Sequence, residues 1–476
     1  MKTVSAWVLL CVGILIVLVS FGVYYLQRMA LIGTAYKAKL LCSGVFISGR
    51  TPDSLSNRDL LVDDLSVLRL IHADVDYNER SVTASLFGLC KRKAIFREGL
   101  GSTLVIDSSE DQIRQQKNPF QGVDQKAFKK QTHPSDWLQS AVELPAEIDS
   151  VKFGKVIEDA FSEPDPKRVR RTRAVVVVYK GQIIAERYAE GFSSDTPLLG
   201  WSMTKSVINA LVGILVMQGK LSLEDQDLLP EWRKTEAPGR EITMDQLLRM
   251  KSGLRFSEDY SNPFRDAIFM LLGTGDSAAY AASKPPEAKP GSRWVYSSGT
   301  TNIISRIIRD TFDGKESEYL SFPRRALFGP IGMHSAVIEP DASGTFVGSS
   351  FMYATARDWA RFGLLYLQDG IWKGERILPE GWVQYSTSPT PESQDGCYGA
   401  HFWLKVPDSF RGDSSPAPSL PQDMFMAAGH EGQFITIIPS RDLVVVRLGL
   451  SRLPESWDHE GFISQILGAI GDESAI

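Results

Sequence analysis

Residues 198–221 read LLGWSMTKSVINALVGILVMQGKL, and this stretch predicts the central element of the fold. From position 206 to 217, apolar residues occupy nearly every side of a predicted helix, which ends at Gly219. A helix that is apolar all round is typical of a buried element, so we expect this one to lie inside the protein. Ser202 and Lys205 stand three residues apart, a spacing that brings two side chains onto one helical face.

The pair Ser202 and Lys205 suits nucleophilic catalysis. A serine hydroxyl is a weak nucleophile at neutral pH and needs a neighbouring base. A lysine can be that base only if its pKa falls, and burial lowers the pKa by disfavouring the ammonium form. Free N–H groups at the start of the helix would favour an oxyanion near Ser202. Because serine and lysine are common residues, the pair gains weight only from partner motifs.

Two further motifs carry residues suited to such a site. Residues 290–310 read PGSRWVYSSGTTNIISRIIRD, in which Tyr296 precedes a predicted helix. Tyr296 could transfer a proton to a leaving group, or it could simply pack at the start of that helix. The triplet at positions 430–432 is His-Glu-Gly, just before a predicted strand. Gly432 would let a substrate approach the strand edge closely, and His430 either contacts the substrate or has no chemical role.

Taken in order, Ser-x-x-Lys at 202–205, Tyr-x-Ser at 296–298 and His-x-Gly at 430–432 resemble the serine β-lactamase and penicillin-binding superfamily. The sequence is most similar to the class C-like branch. Within that branch it resembles the 6-aminohexanoate-dimer hydrolases and family VIII esterases, because of the GWSMTKS context. Further landmarks are ITMDQLLRMKSGL at 242–254 and YATARDWARFGLLYL at 353–367. The resemblance extends from about residue 150 to about residue 470.

The resemblance implies a role for each of these residues. Ser202 would be acylated, Lys205 would accept its proton, and Tyr296 would assist proton transfer to the leaving group. The N–H of Ser202 and one N–H from the strand after Gly432 would form an oxyanion hole. Water would then hydrolyse the acyl-enzyme, and the expected reaction uses no metal ion and no organic cofactor.

Two departures from the superfamily pattern bear on the substrate. Ser298 stands where the pattern has asparagine and His430 where it has lysine, so contacts typical of β-lactam substrates are missing. We therefore expect a hydrolase that cleaves an ester or amide bond through an acyl-serine intermediate. A D,D-peptidase or weak β-lactamase is one alternative, and a non-catalytic binder of cell-wall peptides is another. The candidate substrate contacts are Ser298, His430, Gly432 and Tyr260, although Tyr260 in FSEDYSNP is equally well an ordinary loop residue.

Two pairs of β-rich runs, at 175–188 and 433–450, each surround a short turn and predict hairpins. Because the region between them is mostly helical, strands from its two ends would build one antiparallel sheet with helices packed against it. The predicted fold is thus α+β and β-lactamase-like, with a mainly helical region. The predicted organisation is a transmembrane anchor (1–30), a β-containing segment of unknown role (31–120), a connector (121–150) and a hydrolase domain (151–476).

Residues 7–26 contain no charged side chain and are numerous enough for a helix to cross about 30 Å of hydrocarbon. We predict an uncleaved single-pass anchor in the inner membrane, and a cleaved signal peptide is the alternative. Lysine and arginine residues after the span, taken alone, would keep the chain in the cytoplasm. The resemblance to enzymes that act on envelope substrates favours a catalytic domain outside the cytoplasm.

Charge and cysteine content restrict which other kinds of function and site are expected. The formal net charge is −5, which offers no basic excess for nucleic-acid binding. Cys42 and Cys90 are either a disulfide pair or two buried thiols. Without CxxC or HExxH spacing, a metal site is not expected. The expected partner is a small ester, amide or peptide substrate, and the sequence predicts no oligomeric state.

Overall fold

The computed structural model describes residues 2–122, 141, 143–233, 239–411, 419–453 and 455–471, so most of the predicted connector lies outside the described residues. The α-helices span Lys2–Phe46, Pro52–Leu55, Glu110–Gln115, Ser150–Asp159, Thr204–Met217, Met244–Leu248, Asp266–Leu272, Ser277–Ala282, Ser298–Asp310, Glu316–Pro323, Ala356–Leu367, Trp382–Thr387 and His459–Ile470. The strands are β1 (Ile71–Asp76), β2 (Ser81–Leu86), β3 (Leu89–Arg97), β4 (Gly101–Leu104), β5 (Thr172–Tyr179), β6 (Gln182–Tyr188), β7 (Leu198–Leu199), β8 (Val337–Ile338), β9 (Met352–Ala354), β10 (Ile371–Trp372), β11 (Glu375–Arg376), β12 (Phe425–Gly429), β13 (Gln433–Ile438) and β14 (Leu443–Gly449).

A five-stranded antiparallel sheet forms the framework, in the order β12-β13-β14-β5-β6. Both predicted hairpins are present, as β5–β6 and β13–β14, and they pair with each other through β14 and β5. The α+β prediction is therefore confirmed. The edge strand β12 was not predicted, because its sequence FMAAG is short and rich in alanine and glycine, which strands disfavour.

Both faces of this sheet are buried. Val176 and Val178 face the large core that contains the central helix, whereas Val175 and Val177 face helices Ser150–Asp159 and His459–Ile470. Successive side chains of a strand point to opposite faces, so neighbouring valines enter different cores. Burial on both sides explains why β5 is a continuous apolar run rather than an alternating one.

The helix Thr204–Met217, called the central helix below, is buried along nearly all of its length. It begins two positions earlier than the sequence predicted. Its one buried amide, that of Asn209, accepts hydrogen bonds from the Tyr366 hydroxyl at 2.6 Å and the Trp382 indole at 2.9 Å. Because buried polar groups are costly unless paired, these bonds favour a single rotational setting of the helix.

The N-terminal helix, Lys2–Phe46, is continuous across the boundary predicted at residue 30. Its early residues are exposed and apolar, and Leu10–Phe46 is long and apolar enough to cross a membrane, a test that a signal sequence also passes. Its later residues, including Ala35 and Ala38, are fully buried. They pack against the antiparallel sheet β1-β2-β3-β4, in one apolar core that continues into the region of the central helix.

Cys42 and Cys90 do not form the disulfide that the sequence left open. All four cysteines are free thiols. The thiol of Cys42 is buried in the N-terminal helix and donates to the carbonyl oxygen of Ala94 at 3.7 Å. The alternative of unpaired thiols is thus the one that the fold adopts, because Cys42 lies against Ala94, four positions further along β3 than Cys90.

Candidate active site

The turn that carries Ser202 joins β7 to the central helix. Trp201–Met203 forms a single 3₁₀ turn directly before that helix. Trp201 has a φ of 48°, a left-handed conformation that bulky residues rarely adopt. A Cβ atom on Gly200 would lie 2.4 Å from the Trp359 ring, so the turn needs glycine there. Backbone strain of this kind is common at functional sites, where surrounding packing maintains it.

Lys205 is buried beside Ser202, with 1% of its surface exposed. Its Nζ lies 2.9 Å from the Oγ of Ser202, 3.0 Å from the Oγ of Ser298 and 2.9 Å from the carbonyl oxygen of Ser349. Burial lowers the pKa of Lys205 to about 8, while the negative charge of Glu258 acts in the opposite direction. The Lys205 amine, which releases its proton near neutral pH, is therefore held against the Ser202 hydroxyl.

Tyr296 lies close to both Ser202 and Lys205. Its ring centroid is 5.0 Å from the Nζ of Lys205. The ring packs on Trp403, with centroids 5.3 Å apart. Burial, followed by the charge of Glu258, raises the pKa of Tyr296 above its usual value. The phenol therefore keeps its proton at neutral pH and can donate a hydrogen bond.

Glu258 is a member of the site that sequence reasoning missed. Its Oε2 accepts from the backbone N–H of Ser298 at 2.8 Å, and its Oε1 accepts from the Ser298 hydroxyl and, at 2.7 Å, from the Tyr260 hydroxyl. Ser298 also contacts Lys205, so the carboxylate lies one hydroxyl away from the amine. The available signal was the Glu-x-Tyr spacing in FSEDYSNP, since alternate residues of an extended segment share a face.

Tyr260 and His430 form the second wall of the site. The Tyr260 hydroxyl is 3.4 Å from the Oγ of Ser298, and its ring stacks on that of His430 with centroids 5.1 Å apart. His430 in turn meets Trp201 edge-on at 5.6 Å. Packing against these rings lowers the pKa of His430, which favours a neutral imidazole. The structure thus brings both residues beside the serine turn.

Gly432 lies directly before β13, as the sequence predicted, and packs against Arg447. Residues 430–432 form the turn between β12 and β13, and a Cβ atom on Gly432 would lie 2.5 Å from Arg447. The carbonyl of Gly432 accepts from that arginine at 2.7 Å. Close approach to the serine turn is made instead by Gly429, whose Cβ would lie 2.2 Å from the carbonyl oxygen of Gly200. The unpredicted strand β12 explains this contact, because it ends at Gly429 and forms the sheet edge before the turn.

An ion-pair chain connects the serine turn to the N-terminal segment. The indole of Trp201 donates to Oε2 of Glu431 at 3.0 Å. Glu431 forms a salt bridge with Arg452, and Arg452 donates to Asp64 at 2.9 Å. Asp64 belongs to the segment for which the sequence indicated no chemistry. That segment is therefore connected, through Arg452 and Glu431, to the side chain of Trp201.

No group of three or more histidine, cysteine, aspartate or glutamate side chains suited to a metal ion occurs among the residues that the structure describes. The site is instead built from hydroxyl groups, one amine and one carboxylate. Such groups support proton transfer and nucleophilic attack at a carbonyl carbon.

Comparison with known families agrees with this arrangement. The model of the family described as beta-lactamase matches residues 157–457, more than half of the chain. The chain belongs to the beta-lactamase family. The predicted superfamily is thereby confirmed, while the class C-like branch stays a prediction. The matched residues begin after the N-terminal helix and the β1–β4 sheet, which are additions to the beta-lactamase region.

Named relatives within this family have varied activities. The chain is 26% identical over 322 residues to the 6-aminohexanoate-dimer hydrolase of Paenarthrobacter ureafaciens, an alignment that covers 62% of this chain and 77% of the relative. Among solved structures, it shares the fold of a penicillin-binding protein homologue from Caulobacter crescentus (TM-score 0.51, 17% identity, 69% of this chain and 98% of that chain). It also shares the fold of a family VIII carboxylesterase (TM-score 0.50, 17% identity, 68% and 98%). Beta-lactamase-fold hydrolases therefore include proteins named as a 6-aminohexanoate-dimer hydrolase and as a carboxylesterase.

Proposed function

We propose that this protein is a serine hydrolase that cleaves an ester or amide bond through an acyl-serine intermediate. The observation that carries the proposal is the 2.9 Å contact between the Nζ of buried Lys205 and the Oγ of Ser202. A lysine whose pKa is lowered to about 8 is the kind of base that a serine nucleophile needs. The hydrolase named among its relatives acts, by its name, on an amide dimer.

Acylation follows from these contacts. Neutral Lys205 accepts the proton of Ser202, and the Oγ attacks the carbonyl carbon of the substrate to form a tetrahedral oxyanion. The oxyanion collapses, the bond to the leaving group breaks, and the leaving group takes a proton through Tyr296. Tyr296 suits this step because its raised pKa keeps the phenolic proton available.

Two backbone N–H groups are the proposed oxyanion hole. Among the described residues, neither the N–H of Ser202 nor that of His430 donates to a protein acceptor. Both flank the contact between Gly429 and Gly200, at which β12 meets the serine turn. Preorganised donors of this kind stabilise the charge that develops in the transition state. We assign the second donor to His430 rather than to a residue after Gly432.

Deacylation uses the same catalytic groups, with water as the nucleophile. A water molecule loses a proton to the Lys205–Tyr296 pair and attacks the acyl carbon, which releases the acid and restores the Ser202 hydroxyl. The residues proposed to contact substrate are Ser298, Tyr260 and His430. Gly432 is proposed to act only indirectly, by shaping the turn that presents His430.

A D,D-peptidase or weak β-lactamase is the second candidate, and the charge of the site argues against it. The family pattern places a lysine where this chain has His430, whose imidazole is held neutral. The neighbouring cation Arg452 already binds Glu431 and Asp64. A substrate carboxylate would therefore meet no unpaired cation among the described residues at this wall of the site.

The test is hydrolysis of a short p-nitrophenyl ester by the full-length protein and its Ser202→Ala variant. We expect the variant to lose about 10³-fold or more in rate while it keeps its folded circular dichroism spectrum. Ser206→Ala, which removes a buried hydroxyl that donates to His401, is the matched control and should keep its activity. A fluorophosphonate probe should add one adduct at Ser202. An unchanged rate in Ser202→Ala, or no adduct, would overturn the proposal in favour of a non-catalytic binder.

We further propose that residues 1–30 anchor the protein in the inner membrane, with the hydrolase domain of residues 151–476 outside the cytoplasm. The apolar exposed surface of the N-terminal helix supports the anchor. A phosphatase fused after residue 476 should be active if the catalytic domain is outside. If only a β-galactosidase fusion at the same position is active, the hydrolase domain lies in the cytoplasm, and that result would contradict the proposed orientation.

A further inference from the structure

A cavity of about 170 Å³ lies between the N-terminal helix and the hydrolase region. Its walls combine apolar side chains of the N-terminal helix and of helix Asp266–Leu272 with the aromatic wall of the candidate active site. The principal lining residues are Ile32, Tyr36, Ile268, Trp201, Tyr260 and His430. One wall of this cavity comes from a helix that lies outside the beta-lactamase match, which begins at residue 157.

The cavity borders the candidate active site at the wall formed by Trp201, Tyr260 and His430. Trp201 directly precedes Ser202, and the Tyr260 hydroxyl is 3.4 Å from the Oγ of Ser298. Ser202, Lys205 and Tyr296 do not line the cavity, which meets the serine turn through Trp201, Tyr260 and His430. Since the leaving group would depart toward the proton donor Tyr296, the wall formed by Trp201, Tyr260 and His430 is the one assigned to the acyl group.

The chemistry of the cavity is apolar. Its two charged lining residues, Asp64 and Arg452, are bonded to each other at 2.9 Å, so they present little unsatisfied charge. The remaining lining is dominated by leucine, isoleucine and aromatic side chains. An apolar cavity of about 150 Å³ holds a benzene-sized molecule, so this one has room for a chain of roughly six carbons.

The cavity also lies close to the end of the proposed membrane span. The Tyr25 ring packs on Phe264 with centroids 4.3 Å apart. The guanidinium of Arg28 lies 5.5 Å from the Phe264 ring and 4.7 Å from the Phe269 ring. Tyrosine and arginine at the end of an apolar span are typical of the membrane interface. Ile32 follows Arg28 by one helical turn, about 6 Å along the axis.

From these observations we infer that the substrate is an amphiphile whose acyl chain of about four to eight carbons occupies this cavity, and that it is drawn from the bilayer. The inference rests on the proposed function and names its substrate class. The N-terminal helix then has two roles: it anchors the enzyme, and it forms one wall of the acyl-chain site next to the bilayer surface.

The first experiment measures kcat/KM for p-nitrophenyl esters with acyl chains of two to twelve carbons, using full-length protein in phosphatidylcholine vesicles. Burial of each added methylene should raise kcat/KM about three- to fourfold until the cavity is full, and longer chains should gain nothing more. Ile268 is half-buried, and Ile268→Trp should narrow the cavity. The rise in kcat/KM with acyl-chain length should then disappear, while the acetate ester is hydrolysed at the same rate as before. Ile32→Trp narrows it from the other wall, and Leu89→Trp, on an exposed apolar residue elsewhere in the N-terminal segment, is the control.

The outcomes separate this inference from the proposed function. Normal acetate hydrolysis with no chain-length preference, or a preference unchanged in both tryptophan variants, overturns the acyl-chain site alone. If the unmodified protein neither hydrolyses any of the esters nor reacts with the fluorophosphonate probe, the proposed function and the inference are both overturned.

A second arm distinguishes the source of the amphiphile. The p-nitrophenyl ester with an octanoyl chain is kept at a constant bulk concentration, while added phosphatidylcholine lowers its mole fraction in the vesicles. A rate that falls with the mole fraction of ester in the vesicle supports uptake from the bilayer. A rate that follows only the bulk concentration overturns the bilayer source and indicates uptake from water.

Discussion

The Nζ of Lys39 lies 2.7 Å from Oε2 of Glu339, and the two side chains are 3% and 0% exposed. The other carboxylate oxygen of Glu339 accepts from the Ser43 hydroxyl at 2.7 Å and from the backbone N–H of Ser102 at 2.6 Å. One buried carboxylate therefore joins the N-terminal helix, strand β4 and the hydrolase region. The N-terminal segment is an integral part of the folded enzyme.

Glu339→Gln should destabilise the protein by about 3–5 kcal/mol, because it leaves the Lys39 ammonium buried without its counter-charge. The measurement is chemical denaturation of the full-length protein in detergent. Lys93→Met is the control, since it breaks a salt bridge with Glu110 whose side chains are 31% and 27% exposed, and its cost should be about 1 kcal/mol or less. Equal destabilisation by the two variants would show that the buried pair does not hold the segment in place.

Ester hydrolysis should depend on the protonation of Lys205. The amine must be neutral to accept the Ser202 proton, so kcat/KM should rise with pH and reach half of its plateau near pH 8, where burial has set the lysine pKa. Below that pH the rate should fall about tenfold per unit, because the charged fraction of the lysine then dominates. A pH profile between 6 and 10 measures this, and a flat profile would exclude Lys205 as the base.

Glu258→Gln should move that profile to lower pH. Glu258 raises the pKa of Lys205 by its charge, so removal of the charge lets burial lower the lysine pKa further. The plateau should also fall about tenfold, because charge-assisted hydrogen bonds to Ser298 and Tyr260 are worth roughly 1.5–3 kcal/mol. Asp259→Asn, the neighbouring carboxylate, is the control and should leave the profile in place. A shift to higher pH in Glu258→Gln would contradict the assigned charge effect.

Tyr296→Phe should lower kcat about 10²- to 10⁴-fold, the usual range for loss of a general acid–base group. Tyr398→Phe is the matched control, because this buried ring packs perpendicular to Tyr296 with centroids 5.8 Å apart. It should keep nearly full activity in the same assay. Comparable losses in the two variants would indicate that Tyr296 acts only through packing.

Local patterns predicted part of the fold. The hairpins at 175–188 and 433–450 and the central helix follow from short-range alternation and apolar content, which depend only on neighbouring residues. Strand β12 was missed because FMAAG has little strand propensity of its own; it forms by pairing with β13. The continuous N-terminal helix was divided because composition changes at its middle while backbone hydrogen bonding does not.

The candidate site, like the fold, was predicted only in part from the sequence. Ser202, Lys205 and Tyr296 were identified as a set because their spacing resembles a family pattern, and the structure brings them together. Glu258 was missed because its local signal, the Glu-x-Tyr spacing in FSEDYSNP, does not show which distant groups the carboxylate contacts. Its importance comes from Ser298, which is 40 positions away along the chain.

The sequence by itself determined the types of chemical group at the site, the order of the motifs and an apolar N-terminal span, since each of these is read from residues near one another. Only the tertiary structure decided that the N-terminal helix lines the cavity beside Trp201, that Gly429 rather than Gly432 approaches the serine turn, and that Glu258 lies beside Lys205. These are contacts between distant segments, and their formation depends on packing and burial across the whole core rather than on local propensity.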